Sequence, residues 1–172
     1  MSEEITAFYT LDVASFAPSY RWNYRKRGKP ALRVAILVLV AVVVGALIVF
    51  EAKHGRAWWS LTPILVIPCL VLIFGSKLRS WINDKAVRKM PGYGETIVWQ
   101  IREDGFENHL GKSGGFNTWE HIFESVTTPQ GVLIYPQKDI FYWLPKTAFT
   151  SEADYNRFLD LVAAKTKYSK LG

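Results

Sequence analysis

Three histidines and one cysteine are the residues of this 172-residue chain best suited to metal or nucleophilic chemistry, and their spacing supports neither. His54 stands in a short stretch between two apolar blocks, while His109 and His121 lie far along the chain. Glu120 and Glu124 are close to His121 in sequence, but a metal site needs three or four converging ligands. Polar residues on a strand edge account for that trio more simply. Cys69 has no second thiol to pair with, so neither an internal disulfide nor a redox couple is available. It reads as a small apolar filler. The G-x-S-x-G elbow, the P-loop and the dinucleotide fingerprint are all absent. Gly111–Gly115 is glycine-rich but too short for a phosphate cradle and reads as a turn. The expectation is a protein with no catalytic residue, no metal site and no cofactor, and therefore not an enzyme.

Aromatic side chains are the larger resource. Trp99, Trp119 and Trp143, with Phe141 and Tyr142, alternate with apolar residues in segments of strand character. Core and hairpin packing accounts for most of them. The sharper expectation is an interaction surface made of Phe141, Tyr142, Trp143 and Lys146, in which the rings meet a peptide or a lipid surface and Lys146 contacts a phosphate.

The net charge of +6 is unevenly spread. Residues 1–90 carry 13 Lys or Arg against 5 Asp or Glu, whereas residues 91–172 carry 8 against 10. The C-terminal half therefore lacks the basic stripe that a nucleic-acid binder needs, and nucleic acid is excluded as a partner. The basic excess surrounds two apolar blocks. Within it the cluster Arg25-Lys26-Arg27 is a candidate contact for anionic lipid.

The first block, residues 31–50, is twenty residues with one charge, Arg33, near its start. As a helix it would rise about 30 Å, the thickness of a bilayer core. The second, residues 58–75, is interrupted by Pro63 and Pro68. Pro63 falls in the first turns, and Pro68 should kink the helix. Trp58 and Trp59 resemble an interfacial belt. The seven residues between the blocks would enforce a hairpin, and Ala41 with Gly45 offers a small-residue face through which hairpins could associate into a homo-oligomer. Cations before the first block and after the second place both termini in the cytoplasm by the positive-inside rule. The localisation expected is therefore a multi-pass membrane protein with both termini cytoplasmic, and the resemblance given below implies the inner membrane.

Pro91-Gly92-Tyr93-Gly94 marks a boundary. Beyond it run short alternating segments, Glu95–Arg102, Phe106–Leu110, Gly115–Glu120, Gly131–Tyr135 and Asp139–Leu144, with His121–Thr128 readable as strand or helical turn. Ser151 and Asp154 resemble a capping box. Tyr155, Phe158, Leu159 and Val162 then follow helical spacing. Ahead of the apolar blocks, Glu4–Thr10 alternates as a strand and Val13–Arg27 reads as a helix interrupted by Pro18. The strand is expected to join the sheet of the C-terminal half. The fold class is thus α+β: a two-helix transmembrane hairpin (31–75), a strand and aromatic helix (1–30), and a small antiparallel sheet or barrel (91–172) closed by a C-terminal helix.

This layout is similar to the YcxB-like family of small bacterial membrane proteins. The resemblance rests on ITAFYTLDVASFAPSYRWNYRKR near the start, on the apolar hairpin, and on the C-terminal region, with Trp119 and Ile122 in TWEHI and Leu144–Phe149 in LPKTAF. It implies a membrane-tethered module with a pleckstrin-homology-like (PH-like) domain and no established activity. The function expected is a non-catalytic binding or regulatory module that meets protein or lipid partners at the inner membrane. The alternative is an assembly subunit of a larger membrane complex.

Overall fold

Alternation of apolar residues decides which way each strand faces, and the chain uses that rule twice. The computed structural model describes residues 4–28, 38–46, 49, 53, 75, 77–111 and 113–171. The chain divides into two units, Met1–Lys26 with Asn83–Gly172, and Arg27–Ile82.

In the larger unit, strand β1 (Ile5–Thr10) leads into helix α1 (Val13–Arg27). A meander follows, with β2 (Thr96–Ile101), β3 (Gly105–Leu110) and β4 (Ser113–Thr118), then a short 3-10 turn at Trp119–His121. Strands β5 (Glu124–Thr128), β6 (Gly131–Gln137) and β7 (Ile140–Pro145) come next. A 3-10 turn at Lys146–Ala148, helix α2 (Glu152–Lys165) and strand β8 (Tyr168–Lys170) complete it.

Two four-stranded sheets result, in the orders β1-β2-β3-β4 and β7-β6-β5-β8. All pairs are antiparallel except β5–β8, which is parallel. The N-terminal strand does join the sheet, with Ile5 opposite Ile101 and Tyr9 opposite Ile97. A bridge between Ala7 and Phe149 connects β1 to the chain leaving β7.

The first sheet buries one face, and β1 alternates buried and exposed along its whole length. The second sheet buries both. Val132, Ile134 and Leu144 enter the main core with Trp99, Ile101, Phe106, Phe158 and Val162. Their neighbours Leu133, Tyr135 and Trp143 point the other way, into a second core with Trp22 and Val126. A strand buried on both sides reads as a continuous apolar run, which is what Gly131–Tyr135 shows.

Helix α1 covers the second core, and its own sequence does not favour a helix. Pro18 in its interior removes a backbone donor and costs about 3 kcal/mol. Burial at ~1.5–3 kcal/mol per large apolar side chain, with buried Trp22 and half-buried Phe16, offsets that cost. Hydrogen bonds from Trp143 Nε1 to the Ser15 carbonyl (2.8 Å), from Trp22 Nε1 to Gln130 Oε1 (2.9 Å) and from Tyr135 Oη to Asn23 Oδ1 (2.8 Å) fix its register. Tertiary packing, not propensity, makes this helix.

Helix α2 follows the sequence pattern closely. Ser151 Oγ accepts from the Asp154 N–H at 3.0 Å and donates to Asp154 Oδ2 at 2.7 Å. Tyr155, Phe158 and Val162 are its buried face.

Three expectations are corrected. No helix among the described residues is long and apolar enough to cross a membrane, so the transmembrane hairpin and the multi-pass inner-membrane localisation do not stand. Within the first block the described residues are 38–46 and 49, all helical. The second block, 58–75, lies outside the described residues apart from Gly75. The small, wholly antiparallel sheet or barrel is observed as two four-stranded sheets, and β8 adds a parallel pair to the second.

Two substitutions test this packing. Tyr9 Oη donates to the Trp143 carbonyl at 2.9 Å across the core. Tyr9→Phe should lower unfolding free energy by ~1 kcal/mol in equilibrium denaturation, and an unchanged midpoint would refute the coupling. Gly131 has φ +154°, and a Cβ there would strike the Leu144 carbonyl, Pro145 and the Trp143 ring. Gly131→Ala should therefore cost more than ~1 kcal/mol; a neutral result in the same measurement would show that β7 can yield.

Candidate functional site

Helix α1 starts with a reciprocal cap. Asp12 Oδ1 accepts from the Ser15 N–H at 2.7 Å, and Ser15 Oγ accepts from the Asp12 N–H at 3.3 Å. This cap sets the first turn beside the turn at Pro129-Gln130 and the exit of β7. Between them lies an open groove of about 570 Å³.

Its floor is aromatic. Trp143 and Tyr155 line it, and both are almost wholly buried. Pro18 and Ala14 form one wall, Pro129 and Gln130 a second, and Pro145 with Lys146 a third. Proline rings offer apolar surface without a backbone donor. Because Pro18 lacks an N–H, the Ala14 carbonyl has lost its usual i+4 donor, and that carbonyl belongs to an exposed residue of the wall. Gln130 gives its side-chain oxygen to Trp22, which leaves the amide NH2 as a donor. Ala14 and Gln130 thus bring a carbonyl without its helical donor and a side-chain amide to the walls of a largely apolar groove.

Its charges cancel. Lys146 Nζ lies 2.8 Å from Glu152 Oε1 and 5.4 Å from the Tyr155 ring centroid. The hydrogen bond and charge of Lys146 hold the Glu152 carboxyl below its ordinary range. Burial pushes the Tyr155 phenol up, with a smaller contribution from Tyr168, so it stays neutral near pH 7. The first turn of α2 already holds Glu152 and Asp154, which occupy the positive end of the helix. An anion would meet carboxylates there.

The residues singled out from sequence are distributed as follows. Trp143 and Lys146 come together in the groove. Phe141 is half-buried instead among Phe16, Tyr20 and Tyr135, with centroids 6.0–6.3 Å away. Tyr142 faces the opposite side, edge-on to Trp99 at 5.9 Å and to Phe106 at 5.7 Å. Strand alternation puts Tyr142 on the face of β7 opposite Phe141 and Trp143, which share the second core. Arg25 lies over the Trp22 ring at 5.3 Å. Lys26 is bound to Glu124 at 2.6 Å and to Ser169 at 3.4 Å, and Arg27 is the half-buried last residue of α1. Glu124 thereby faces Lys26, and His121 Nδ1 meets Thr118 Oγ1 at 3.0 Å. Among the described residues no group of three His, Cys, Asp or Glu could hold a metal ion. Ala14, Pro18, Pro129, Gln130 and Tyr155 are groove residues that sequence spacing does not reveal, because pairing over more than a hundred residues brings them together.

The fold and groove define an α+β unit with two sheets and a ligand-sized cleft near the N-terminal ends of α1 and α2. Residues 101–162, about a third of the chain, match the family model described as YcxB-like protein, and the similarity extends over that segment. The segments TWEHI and LPKTAF fall inside the match, as do Gln130, Trp143, Lys146 and Tyr155. The wall supplied by α1 and the apolar blocks lie outside it. No curated protein and no solved structure matches the chain.

The cap gives a pH prediction. Hydrogen bonding by the backbone and then the side chain of Ser15 lowers the Asp12 pKa, outweighing a small desolvation effect in the other direction. A carboxyl with a depressed folded pKa stabilises the fold above its unfolded value of about 3.9 and loses that contribution as pH falls through the folded value. Asp12→Asn keeps a capping oxygen. It should flatten the melting-temperature profile below about pH 4; an acid limb identical to wild type would remove Asp12 as its source.

Proposed function

We propose that the larger unit is a non-catalytic binding module whose groove takes an extended, proline-containing segment of a protein partner. The observation that carries this reading is the Ala14 carbonyl, released by Pro18 beside the Trp143 and Tyr155 floor. A backbone N–H of an extended peptide suits that acceptor, and a backbone carbonyl suits the Gln130 amide. Proline-rich chains are already extended and lose little entropy on docking, and aromatic grooves are their usual receptors. A volume of about 570 Å³ is within the range of sites that enclose a small ligand or a few residues. Non-catalytic action is supported by the engagement of the polar groups. Lys146 and Glu152 neutralise each other, and Ser15 and Ser151 serve as helix caps.

The test is a peptide array of hexamers to octamers with and without proline, read by binding of the full chain and by tryptophan fluorescence. Proline-containing sequences should bind, and Gln130→Ala should weaken them. Pro18→Ala is the decisive variant. Restoring the helical N–H should raise stability by up to ~3 kcal/mol, yet re-occupy the Ala14 carbonyl and weaken binding roughly five- to tenfold. His109→Ala, on the exposed face of the first sheet, should change nothing. Peptides that bind Pro18→Ala as tightly as wild type, or a full array without binders, would reject the groove as the site.

A further inference from the structure

Antiparallel pairing leaves every second residue of an edge strand with its backbone N–H and C=O directed outward. β4 is the last strand of the first sheet, and two bonds fix its phase. The Arg102 N–H donates to the Gly105 carbonyl at 2.8 Å, and the Trp119 N–H donates to the Asp104 carbonyl at 3.4 Å. β3 therefore turns the backbone of Gly105, Glu107 and His109 toward β2, and that of Phe106, Asn108 and Leu110 toward β4. Asn117, Gly115 and Ser113 answer from β4, so Gly114, Phe116 and Thr118 present theirs to the open edge. No backbone bond among the described residues reaches them there.

The other sheet edges are bridged or protected. β1 is bridged to Phe149, β7 ends on Pro145, and β8 is three residues long with Lys170 among them. Proline, lysine, shortness and bulges are the usual means of keeping an edge from pairing. β4 has none of them. Ser113–Thr118 reads SGGFNT, six residues in unbroken register with no charge and no proline. Gly115 adds a second observation. A Cβ at Gly114 would strike the His109 ring, which accounts for that glycine within the chain, whereas a Cβ at Gly115 would meet nothing. Gly115 also lacks a positive φ. A strand glycine with no such reason of its own marks a place where another backbone comes close.

We propose that β4 pairs antiparallel with β4 of a second copy, about a two-fold axis at Phe116. The phase of the strand selects that occupant. With Phe116 opposite itself, Gly114 faces the partner's Thr118 and Thr118 faces the partner's Gly114, so every outward group meets its complement in a hydrogen-bonded pair. The same patch serves both copies, as a closed two-fold interface requires. A neutral strand facing itself brings no like charges together. The two Phe116 rings, each 47% exposed in the single chain, cover one another on the face that carries Glu107 and His109. Beyond Phe116 the edge offers little to select a foreign sequence, whereas a second copy supplies the matching phase by symmetry. The interface uses no residue of the groove.

The experiment is sedimentation equilibrium of the full 19.6 kDa chain over about a hundredfold range around the micromolar level, because a six-residue ladder is small for an interface. The mass should rise from that of the monomer to twice that value. Phe116→Lys sets like charges opposite one another across the axis but beside Glu107 within the chain, and should weaken the dimer about tenfold. Phe8→Lys, comparably exposed at the far edge of the same sheet, should leave it unchanged. In a chain carrying Cys69→Ser, Phe116→Cys should crosslink to its own copy under mild oxidation, since directly opposed strand residues lie within disulfide reach. Thr118→Cys, displaced from its copy by about 13 Å along the strand, should not. Circular dichroism spectra matching wild type would show that the variants remain folded. A mass that stays monomeric, a dimer indifferent to Phe116→Lys, dissociation by Phe8→Lys, or equal crosslinking from positions 116 and 118 would overturn the proposal. So would a monomer in which Phe116→Lys loses the peptides of the array, since the edge would then take a foreign strand.

Discussion

The larger unit depends on the burial of one indole, Trp143, between a strand and a helix. Its ring fills the second core with Trp22, Leu133 and Tyr135, and its N–H is bound to the Ser15 carbonyl. A buried indole N–H without a partner would carry a desolvation penalty of ~1–3 kcal/mol, so the first turn of α1 is held against β7. The carbonyl of the same residue accepts from Tyr9, which ties the strand before α1 to the strand beneath it. Gly131 has no side chain because the Trp143 ring and the Leu144 carbonyl occupy the space where one would stand. One residue thus joins both sheets, the helix and the groove floor.

This arrangement also explains how a thirty-residue N-terminal segment folds with a region that begins more than fifty residues later. β1 buries Ile5, Ala7 and Tyr9 against the main core, and α1 closes the far side of the second sheet. The two act as a clamp around β7. Either alone would leave Trp143 with one unsatisfied end.

Much of the fold was legible from local pattern. The alternation in Glu4–Thr10, the hairpin around Gln137–Asp139, and the Ser151–Asp154 cap with its Tyr155, Phe158 and Val162 face all follow from short-range rules. What was not legible depends on partners distant in sequence. Nothing near β6 says that Ile134 and Tyr135 enter different cores, because a doubly buried strand loses the alternation that marks its faces. Nothing near Tyr168–Lys170 says that it pairs parallel to β5, since every residue of it is exposed. The apolar blocks lie largely outside the described residues, among which no helix is long and apolar enough to cross a membrane. At the groove, the legible residues were the aromatic and the cation, Trp143 and Lys146. The illegible ones were prolines at 18, 129 and 145, whose meaning comes only from their meeting.

Pro18 shows why that meeting matters. A proline inside a fifteen-residue helix is a local error by helix propensity, and the packing around Trp22 and Trp143 carries its cost. A residue that served only the fold could be replaced by almost any good helix former at that position, with a gain in stability. Local rules are broken most often where a site needs something that regular structure withholds. Regular helix withholds its carbonyls, each being engaged by the N–H four residues on. Removing one N–H takes the usual donor from one carbonyl, while Ser15 and Gln130 are both held by tryptophan N–H groups nearby. The rigidity bought by the two tryptophans is what makes a freed carbonyl a usable feature and not a frayed turn.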